Sequence, residues 1–500
     1  MTERGKNGLV LLFWLAVWSV AALVVANPLF LPAPWTVLEA MMATVQEPSF
    51  LLRLFFSQAH VLGGLLVGAF LGSLLGWQSA MHPLLYRFCR IPVLLMRAVP
   101  VASFILFALF LMPSAHLAFF IVFLLVLPPV FENARVGRLS VDHDLEEMAD
   151  TFHVTPALRF RGLLLPTVSP YLTAAFHNAI GLAWKGGAAA EMIALSTNTL
   201  GEALFQSKLT LEMPLLFAWT GWILLLSAFH TKVLLFLWKK AVHAVCRIGV
   251  QKAAPRATSQ QSEGPLLRWT DVSVTYGEQT ILNRVSGRIA IGDRIVLTGP
   301  SGRGKTTLLR LLSGLEQGAC GNVYENETSR RQEHRYENDD TALRFAILFQ
   351  EDRLLPQHTV RENLRFVGIS EEAIAEGLEA LELSDAGDKP AMQLSGGMKR
   401  RVALLRTVLW PGDILILDEP GTGMDAMLRE KALRYAERKS HHFLAMVVAD
   451  HLPEDGKWLA VHTSWALLAD GKLQTTLNEE GASIVQAMDS YDKMQDEEFR

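Results

Sequence analysis

Cysteine is almost missing from this chain of 500 residues. The three present, Cys89, Cys246 and Cys320, stand far apart without metal-ligand spacing. That argues against a disulfide framework and a cysteine-built metal site, and it fits a reducing compartment for the soluble part. There is no basic excess either: 46 Lys and Arg against 50 Asp and Glu leave a formal net charge of −4. A nucleic-acid binder is therefore not expected. Charge is also scarce before about Lys239, so the hydrophobic content of 50% averages two unlike halves. The length exceeds one compact domain and suggests two or three.

What the first half has instead is apolar sequence. Runs near 8–26, 54–77, 91–111, 116–131, 167–190 and 214–238 approach or exceed the roughly 20 residues that a helix needs to cross a bilayer. A cleaved leader competes for the first run, but about 19 apolar residues are too many for one, and a retained span is favoured. With six spans every basic cluster falls on one side: Arg4 and Lys6, Arg87 and Arg90, Arg135 to Arg161, and Lys239 to Lys252. The positive-inside rule makes that side cytoplasmic. Gly64, Gly68, Gly72 and Gly76 recur every fourth residue and put a small-residue face on one helix, suited to close packing. Lys185 and Glu191 lie in an otherwise apolar run, where charge marks a pathway or ion pair; Lys185 could instead snorkel to the headgroups.

From about residue 265 strand-like and helix-like apolar runs alternate, as in an α/β domain. Residues 299–306 read GPSGRGKT, a G-x-x-x-x-G-K-[ST] phosphate loop between an apolar strand at 294–298 and a helix. Its glycines let backbone N–H groups face phosphate oxygens, and the positive end of the helix adds to their pull. Gly299, Pro300, Ser301, Gly302, Arg303, Gly304, Lys305, Thr306 and Thr307 are the candidate phosphate-binding residues. Lys305 would reach the β- and γ-phosphates, and Thr306 would hold Mg²⁺. LSGG follows at 394–397, and a buried-strand run at 414–417 ends in Asp418-Glu419. Asp418 suits Mg²⁺, and Glu419 is the candidate that polarises attacking water, because phosphoryl transfer needs positioned charge and an oriented nucleophile.

In this order and spacing the three motifs resemble the ATPase cassette of ATP-binding-cassette (ABC) transporters. The resemblance implies ATP with Mg²⁺ as cofactors. It makes Gln350, in LFQEDRLLP, the glutamine that contacts metal and water and senses the membrane domain. Tyr276, in VTYGEQTIL, becomes the aromatic that stacks on adenine, and Asp425, in GTGMD, the D-loop aspartate. It also implies that Ser395, Gly396 and Gly397 close over ATP held by a partner subunit. One phosphate loop and one LSGG per chain then point to a homodimer. One position departs: the family's switch histidine is followed by Asp, whereas 449–454 read ADHLPE, with Asp450 in the histidine's register and His451 one place later. Either the loop shifts to present His451 or hydrolysis runs with a weakened switch; His451 is the residue favoured.

Residues 147–166, EMADTFHVTPALRFRGLLLP, resemble the cytoplasmic coupling loop of ABC importer permeases. Glu147, Ala149, Leu165 and Pro166 are in register, but His153 stands where the pattern has glycine and Met148 replaces an alanine. The stretches LPAP (31–34), RAVPVASF (97–104) and WKGGAAAEMIAL (184–195) are similar to permeases of the nitrate, sulfonate and taurine importer group. The expectation is an all-α membrane bundle of about six transmembrane helices (1–250, with the coupling loop at 143–166), a linker (251–264), an α/β ABC-type P-loop ATPase domain (265–478) and a solvated acidic tail (479–500). Its implied work is ATP-driven import of a small anion or zwitterion across the inner membrane. The implied partners are the lipid bilayer, a second copy and an extracytoplasmic solute-binding protein. An exporter half-transporter and a membrane-tethered regulatory ATPase stay open beside it.

Overall fold

The computed structural model describes residues 3–246, 265–299, 302–316, 320–325, 328–329, 343–450, 463–467 and 472–477. Pro300, Ser301, His451, the linker at 251–264 and the acidic tail at 479–500 lie outside them. The chain falls into two compact units, Met1–Val141 with Leu164–Cys246, and Asp142–Leu163 with Arg247–Arg500.

The first unit is helical, as backbone in hydrocarbon must satisfy its own polar groups. Its helices are α1 (Glu3–Val25), α2 (Pro34–Val45), α3 (Phe50–Met81), α4 (Pro83–Ala98), α5 (Val101–Leu109) and α6 (Ser114–Leu139). Beyond the loop, which carries α7 (His143–Thr151) and α8 (Pro156–Arg159), come α9 (Leu165–Ala194), α10 (Leu200–Leu209) and α11 (Met213–Val245). Among the described residues four helices, α1, α3, α6 and α11, are long and apolar enough to cross a membrane, and the bent pair α4–α5 brings the number to five. The run at 91–111 is thus not the single straight span expected from its hydropathy. It breaks by 99° at Val99, whose ψ of 131° is the extended backbone that Pro100 imposes on the residue before it. The run at 167–190 forms the 30-residue α9 but is not apolar enough to count by composition. Its Val168, Leu172, Ala175, Ala179, Ala183 and Ala190 are buried against α3, α6 and α11, so much of its surface meets protein rather than lipid.

The four spaced glycines of α3 do close-pack, and their partner is α6. A Cβ on Gly68 would lie 3.1 Å from the Phe123 carbonyl oxygen, and one on Gly72 would lie 2.9 Å from that of Leu127. Gly64 and Gly76 meet the Phe119 and Phe131 carbonyls in the same way. The four-residue period on α3 thus matches a four-residue period of carbonyls on α6.

Glu191 is buried, and its surroundings explain why a carboxylate is tolerated there. Ser57 Oγ donates to it at 2.6 Å, the Gly201 N–H at 3.2 Å, and His60 Nδ1 lies at 3.1 Å. Ser57 Oγ in turn accepts from the Leu200 N–H at 2.8 Å. The first N–H groups of α10, which no helix can satisfy internally, are therefore met by Glu191 and Ser57. Glu191 ties α3, α9 and α10 together. Lys185 is exposed on α9 and has no hydrogen-bond or ion-pair partner among the described residues.

In the second unit the strands are β1 (Leu267–Tyr276), β2 (Gln279–Ile289), β3 (Arg294–Thr298), β4 (Cys320–Glu325), β5 (Thr328–Ser329), β6 (Phe345–Leu348), β7 (Ile414–Asp418), β8 (Ala445–Ala449), β9 (Thr463–Leu467) and β10 (Leu473–Leu477). Its helices are α12 (Lys305–Leu312), α13 (Val360–Phe366), α14 (Glu371–Ala380), α15 (Gly396–Leu409) and α16 (Ala426–Lys439). One sheet has the order β10-β9-β3-β8-β7-β6, parallel from β9 to β6. Its inner strands are unbroken apolar runs such as Ile414–Leu417, as expected of parallel strands covered on both faces. A second, antiparallel sheet has the order β2-β1-β4-β5. In the parallel sheet Leu297 and Asp418 both pair with Ala449. The carboxyl ends of β3, β7 and β8 are therefore level and deliver Gly299, Glu419 and Asp450 to one edge, where open α/β sheets place their ligands.

Candidate nucleotide site and coupling loop

At that edge the phosphate loop is shaped by glycine. Gly302 and Gly304 have φ of 75° and 94°, a region a side chain rarely enters, and a Cβ on Gly304 would also meet Ile281. Gly304 caps α12, and the first helical residue, Lys305, is buried with its Nζ donating to the Gly299 carbonyl at 2.7 Å. Burial lowers the Lys305 pKa, while Glu419, Asp418 and Asp450 favour its charge. Three acidic groups thus surround one lysine. Thr306 Oγ1 donates to Asp418 Oδ2 at 2.8 Å. Burial pushes the Asp418 carboxyl above the usual range; the Thr306 bond opposes this, and the Glu419 charge adds to it. A buried carboxylate beside a hydroxyl is a donor pair that suits a small hard cation, so the residues present fit Mg²⁺.

Glu419 has φ of 47°, in the left-handed region, and its N–H donates to the Ala449 carbonyl at 2.9 Å. The bond to β8 holds an unfavourable conformation, as is common where a side chain must be aimed. Asp450 is buried, and its N–H donates to the Leu297 carbonyl at 3.2 Å. It therefore leaves β8 directly into the site, in the position that the sequence register assigned to the switch residue. His451 falls outside the described residues, as do Pro300 and Ser301.

Tyr276 ends β1 half-exposed, its hydroxyl donating to Glu316 at 2.5 Å. Partial burial and that carboxylate push its pKa up to about 12. Gln350 is exposed just after β6. Ser395 caps α15, accepting from the Met398 N–H at 3.4 Å, so Gly396 and Gly397 form the first turn of that helix. Gly397 lies so close to Gly423 that a Cβ there would be 2.8 Å from its carbonyl oxygen. Asp425 caps α16, accepting from the Leu428 N–H at 3.0 Å.

Sequence reasoning passed over the arginines that join these parts. Arg400, on the LSGG helix, is buried and donates to the carbonyls of Phe349 (2.6 Å), Gln350 (3.2 Å), Asp418 and Glu419 (2.8 Å). Arg406, one and a half turns on, donates to those of Arg353 (2.6 Å) and Asp352 (3.0 Å), and its complete burial lowers its pKa to about 9. One helix thus holds the Gln350 segment and the end of β7 in a common frame.

The loop at 142–163 belongs to this unit. Glu147 is buried and its Oε2 accepts from two arginines: Arg310 at 3.3 Å, on the helix that starts at Lys305, and Arg353 at 2.9 Å, in the Gln350 segment. Arg353 also reaches Asp144 at 2.9 Å. The Gly162 carbonyl lies 2.8 Å from His358 Nε2. The glycine expected after α7 is His153, and φ there is 49°. Its N–H bonds the Asp150 carbonyl (3.0 Å) and that of Val154 bonds Ala149 (2.9 Å), closing the helix with a left-handed residue. A side chain in that region costs about 1–2 kcal/mol. Something has to offset this, and the imidazole lies over the Trp410 indole, centroids 6.0 Å apart and planes within 14°. Phe152 meets the same indole edge-on at 5.4 Å.

Comparison with known proteins accords with this division. Residues 64–244 match the family described as "Binding-protein-dependent transport system inner membrane component", and residues 282–422 the family "ABC transporter". The chain is 36% identical over 193 residues to the "Cytochrome c biogenesis ATP-binding export protein CcmA" of Gluconobacter oxydans, covering 38% of this chain and 83% of that protein. It is 36% identical over 207 residues to the "Aliphatic sulfonates import ATP-binding protein SsuB 1" of Burkholderia cenocepacia, covering 40% of this chain and 61% of that one. It spans about half the length of several further relatives. A solved nucleotide-free ATP-binding cassette from an ABC transporter is similar over 45% of this chain and 96% of its own, at 22% identity and a TM-score of 0.37. The chain belongs to the ABC transporters: it joins a transport-system membrane domain and an ABC-type ATPase domain in one multi-pass inner-membrane polypeptide whose ATPase faces the cytoplasm.

Proposed function

We propose that this chain is one half of an ATP-driven importer of a small anion or zwitterion, of the kind of nitrate, a sulfonate or taurine. Two copies form the transporter, and a separate extracytoplasmic binding protein delivers the solute. The observation that carries the reading is the seat of Glu147: the loop joining α6 to α9 is held by Arg310, on the very helix that begins at the phosphate-loop lysine. Movement at the nucleotide site then has a route of five residues along α12 to the loop that joins α6 to α9. The description of the matched membrane family as binding-protein-dependent supports the separate receptor, and the sulfonate-import relative supports the class of solute.

In this reading Gly299 to Thr307 cradle the triphosphate and Tyr276 stacks on the base. Thr306, Gln350 and Asp418 would hold Mg²⁺, which would screen the phosphate charge. Glu419 would orient and deprotonate the attacking water, and Arg400, donating to the main-chain carbonyls of Asp418, Glu419 and Gln350, keeps their backbone in one frame. Ser395, Gly396 and Gly397, at the positive end of α15, donate to the γ-phosphate held by the other copy, with Asp425 beside them. Asp450 stands close to where the γ-phosphate would sit, and His451, the next residue, is the proposed switch residue.

The test is transport by the purified chain in proteoliposomes, with labelled nitrate, taurine or an alkanesulfonate and a candidate receptor on the receptor-facing side. ATP-dependent uptake that needs the receptor, and that Glu419→Gln abolishes, is the expected result. ATP-driven movement out of the cytoplasm-equivalent side without a receptor would make it an exporter half; ATP turnover with no solute flux would leave a tethered regulatory ATPase.

A further inference from the structure

The coupling loop is held at a second place, and the residues there depart from the pattern the loop otherwise follows. His153 occupies a left-handed position that glycine would fill without strain, and its ring lies on Trp410. Trp410 is buried and is the residue that ends α15. The other end of the same helix is Ser395-Gly396-Gly397. The indole is itself fixed: Phe152 packs on its edge, the Arg344 guanidinium lies 5.9 Å from its ring, and a Cβ on Gly412 would touch it at 3.0 Å. Arg406 of the same helix lies over the Phe152 ring at 5.2 Å.

The two holds differ in what they report. Glu147 is bound to α12, whose first residue is the phosphate-loop lysine, and so follows the nucleotide bound by its own chain. His153 rests on the far end of the LSGG helix, which in the proposed dimer meets the nucleotide of the other copy. We propose that the His153–Trp410 stack is a positioning contact that carries movement of the LSGG helix α15 into the coupling loop, so that the loop registers both nucleotide sites. This rests on the transporter reading above. The stack has the offset-parallel geometry in which flat rings attract. It also explains why a strained histidine replaces an unstrained glycine: the turn does not need the ring, but the contact does.

The experiment uses the full chain in lipid nanodiscs, with Cys89, Cys246 and Cys320 replaced by serine. Thr197→Cys, on the exposed turn between α9 and α10, serves as reporter. The rate of maleimide labelling is measured with and without Mg²⁺ and a non-hydrolysable ATP analogue, alongside ATP turnover. His153→Gly relieves the backbone and removes the ring. It is expected to leave basal ATP turnover largely unchanged while shrinking the nucleotide-dependent change in labelling about two- to tenfold, the range an aromatic pair supports. His153→Phe, which restores a flat ring, should recover most of that change, and Trp410→Ala should abolish the benefit of the phenylalanine. A full response in His153→Gly, or a response in His153→Phe as weak as in His153→Gly, overturns the proposal. If the parent protein shows no nucleotide-dependent labelling at all, the transporter reading fails, and the inference falls with it.

Discussion

At the scale of single residues the nucleotide site is a collection of groups kept against their preference. Asp418 is the clearest, because burial beside Glu419 raises its pKa above the ordinary value of 3.8. The folded chain then keeps this proton to a higher pH than the unfolded chain does. Between the ordinary and the raised value, stability falls as pH rises, and above both the buried charge is a fixed cost. Asp418→Asn removes the charge and keeps a partner for the Thr306 hydroxyl. Scanning fluorimetry of the ligand-free protein should show a higher melting midpoint at neutral pH, by about 2–4 °C for each kcal/mol relieved, and a flatter profile on the acid side. The same variant should lose the protection that Mg²⁺-ATP gives the parent, so stability and function part at this residue. Glu419→Gln acts differently. If Glu419 is the proposed base, the change should keep the fold and the bound nucleotide but lower turnover about 10²- to 10⁴-fold, the share general-base assistance supplies, as a coupled ATPase assay would read.

At the scale of elements much was legible, and the exceptions have physical causes. The glycine period of α3 announces a close-packed face, and the carbonyl row of α6 lies against it. Gly72→Leu should drive the two helices apart and destabilise the membrane unit by about 1–3 kcal/mol, as overpacking does, seen as a lower thermal midpoint in detergent. The same change at exposed Gly8, where an added Cβ would meet nothing within 4 Å, should be neutral. The break between α4 and α5 was also written in the chain, in the extended backbone that Pro100 forces on Val99, but continuous hydropathy across 91–111 hides it. The partners of Glu191 were hidden for another reason. An acid in an apolar run marks a pathway or an ion pair; its partners Ser57 and Gly201, 134 and 10 residues away, and His60, 131 away, show that it also caps α10. Sequence separation conceals such partners, and for Glu147 too, Arg310 and Arg353 lie 163 and 206 residues on. Arg353→Ala removes one cation from a buried carboxylate, and loss of a buried partner costs about 3 kcal/mol. ATP turnover should survive this better than coupling, because Arg353 touches the loop rather than the phosphate loop. Comparing turnover with nucleotide-dependent labelling of the Thr197→Cys reporter checks that split.

At the scale of the whole molecule the order of motifs along the chain was enough to place a membrane bundle before an ATPase, since each motif is local and its spacing is fixed by a strand, a loop and a helix. What local sequence does not contain is which copy completes which site. The single phosphate loop at 299–306 and the single LSGG at 394–397 leave each chain with two unlike half-sites, and a two-fold dimer would pair them across its interface. That arrangement predicts complementation. Lys305→Ala spoils the phosphate loop and leaves LSGG intact; Ser395→Arg does the reverse. Each variant alone should be inactive, since every site in either dimer contains one damaged half. In a one-to-one mixture about half of the dimers are mixed. Each mixed dimer carries one site with both halves intact and one with both damaged. ATP turnover should therefore appear on mixing and rise toward about one quarter of the parent value, with its maximum at equal amounts of the two variants. A mixture no more active than its parts would mean that each chain closes its own site, turnover by Ser395→Arg alone at the parent rate would mean that LSGG is no part of the site, and either result would leave the proposed dimer without a basis.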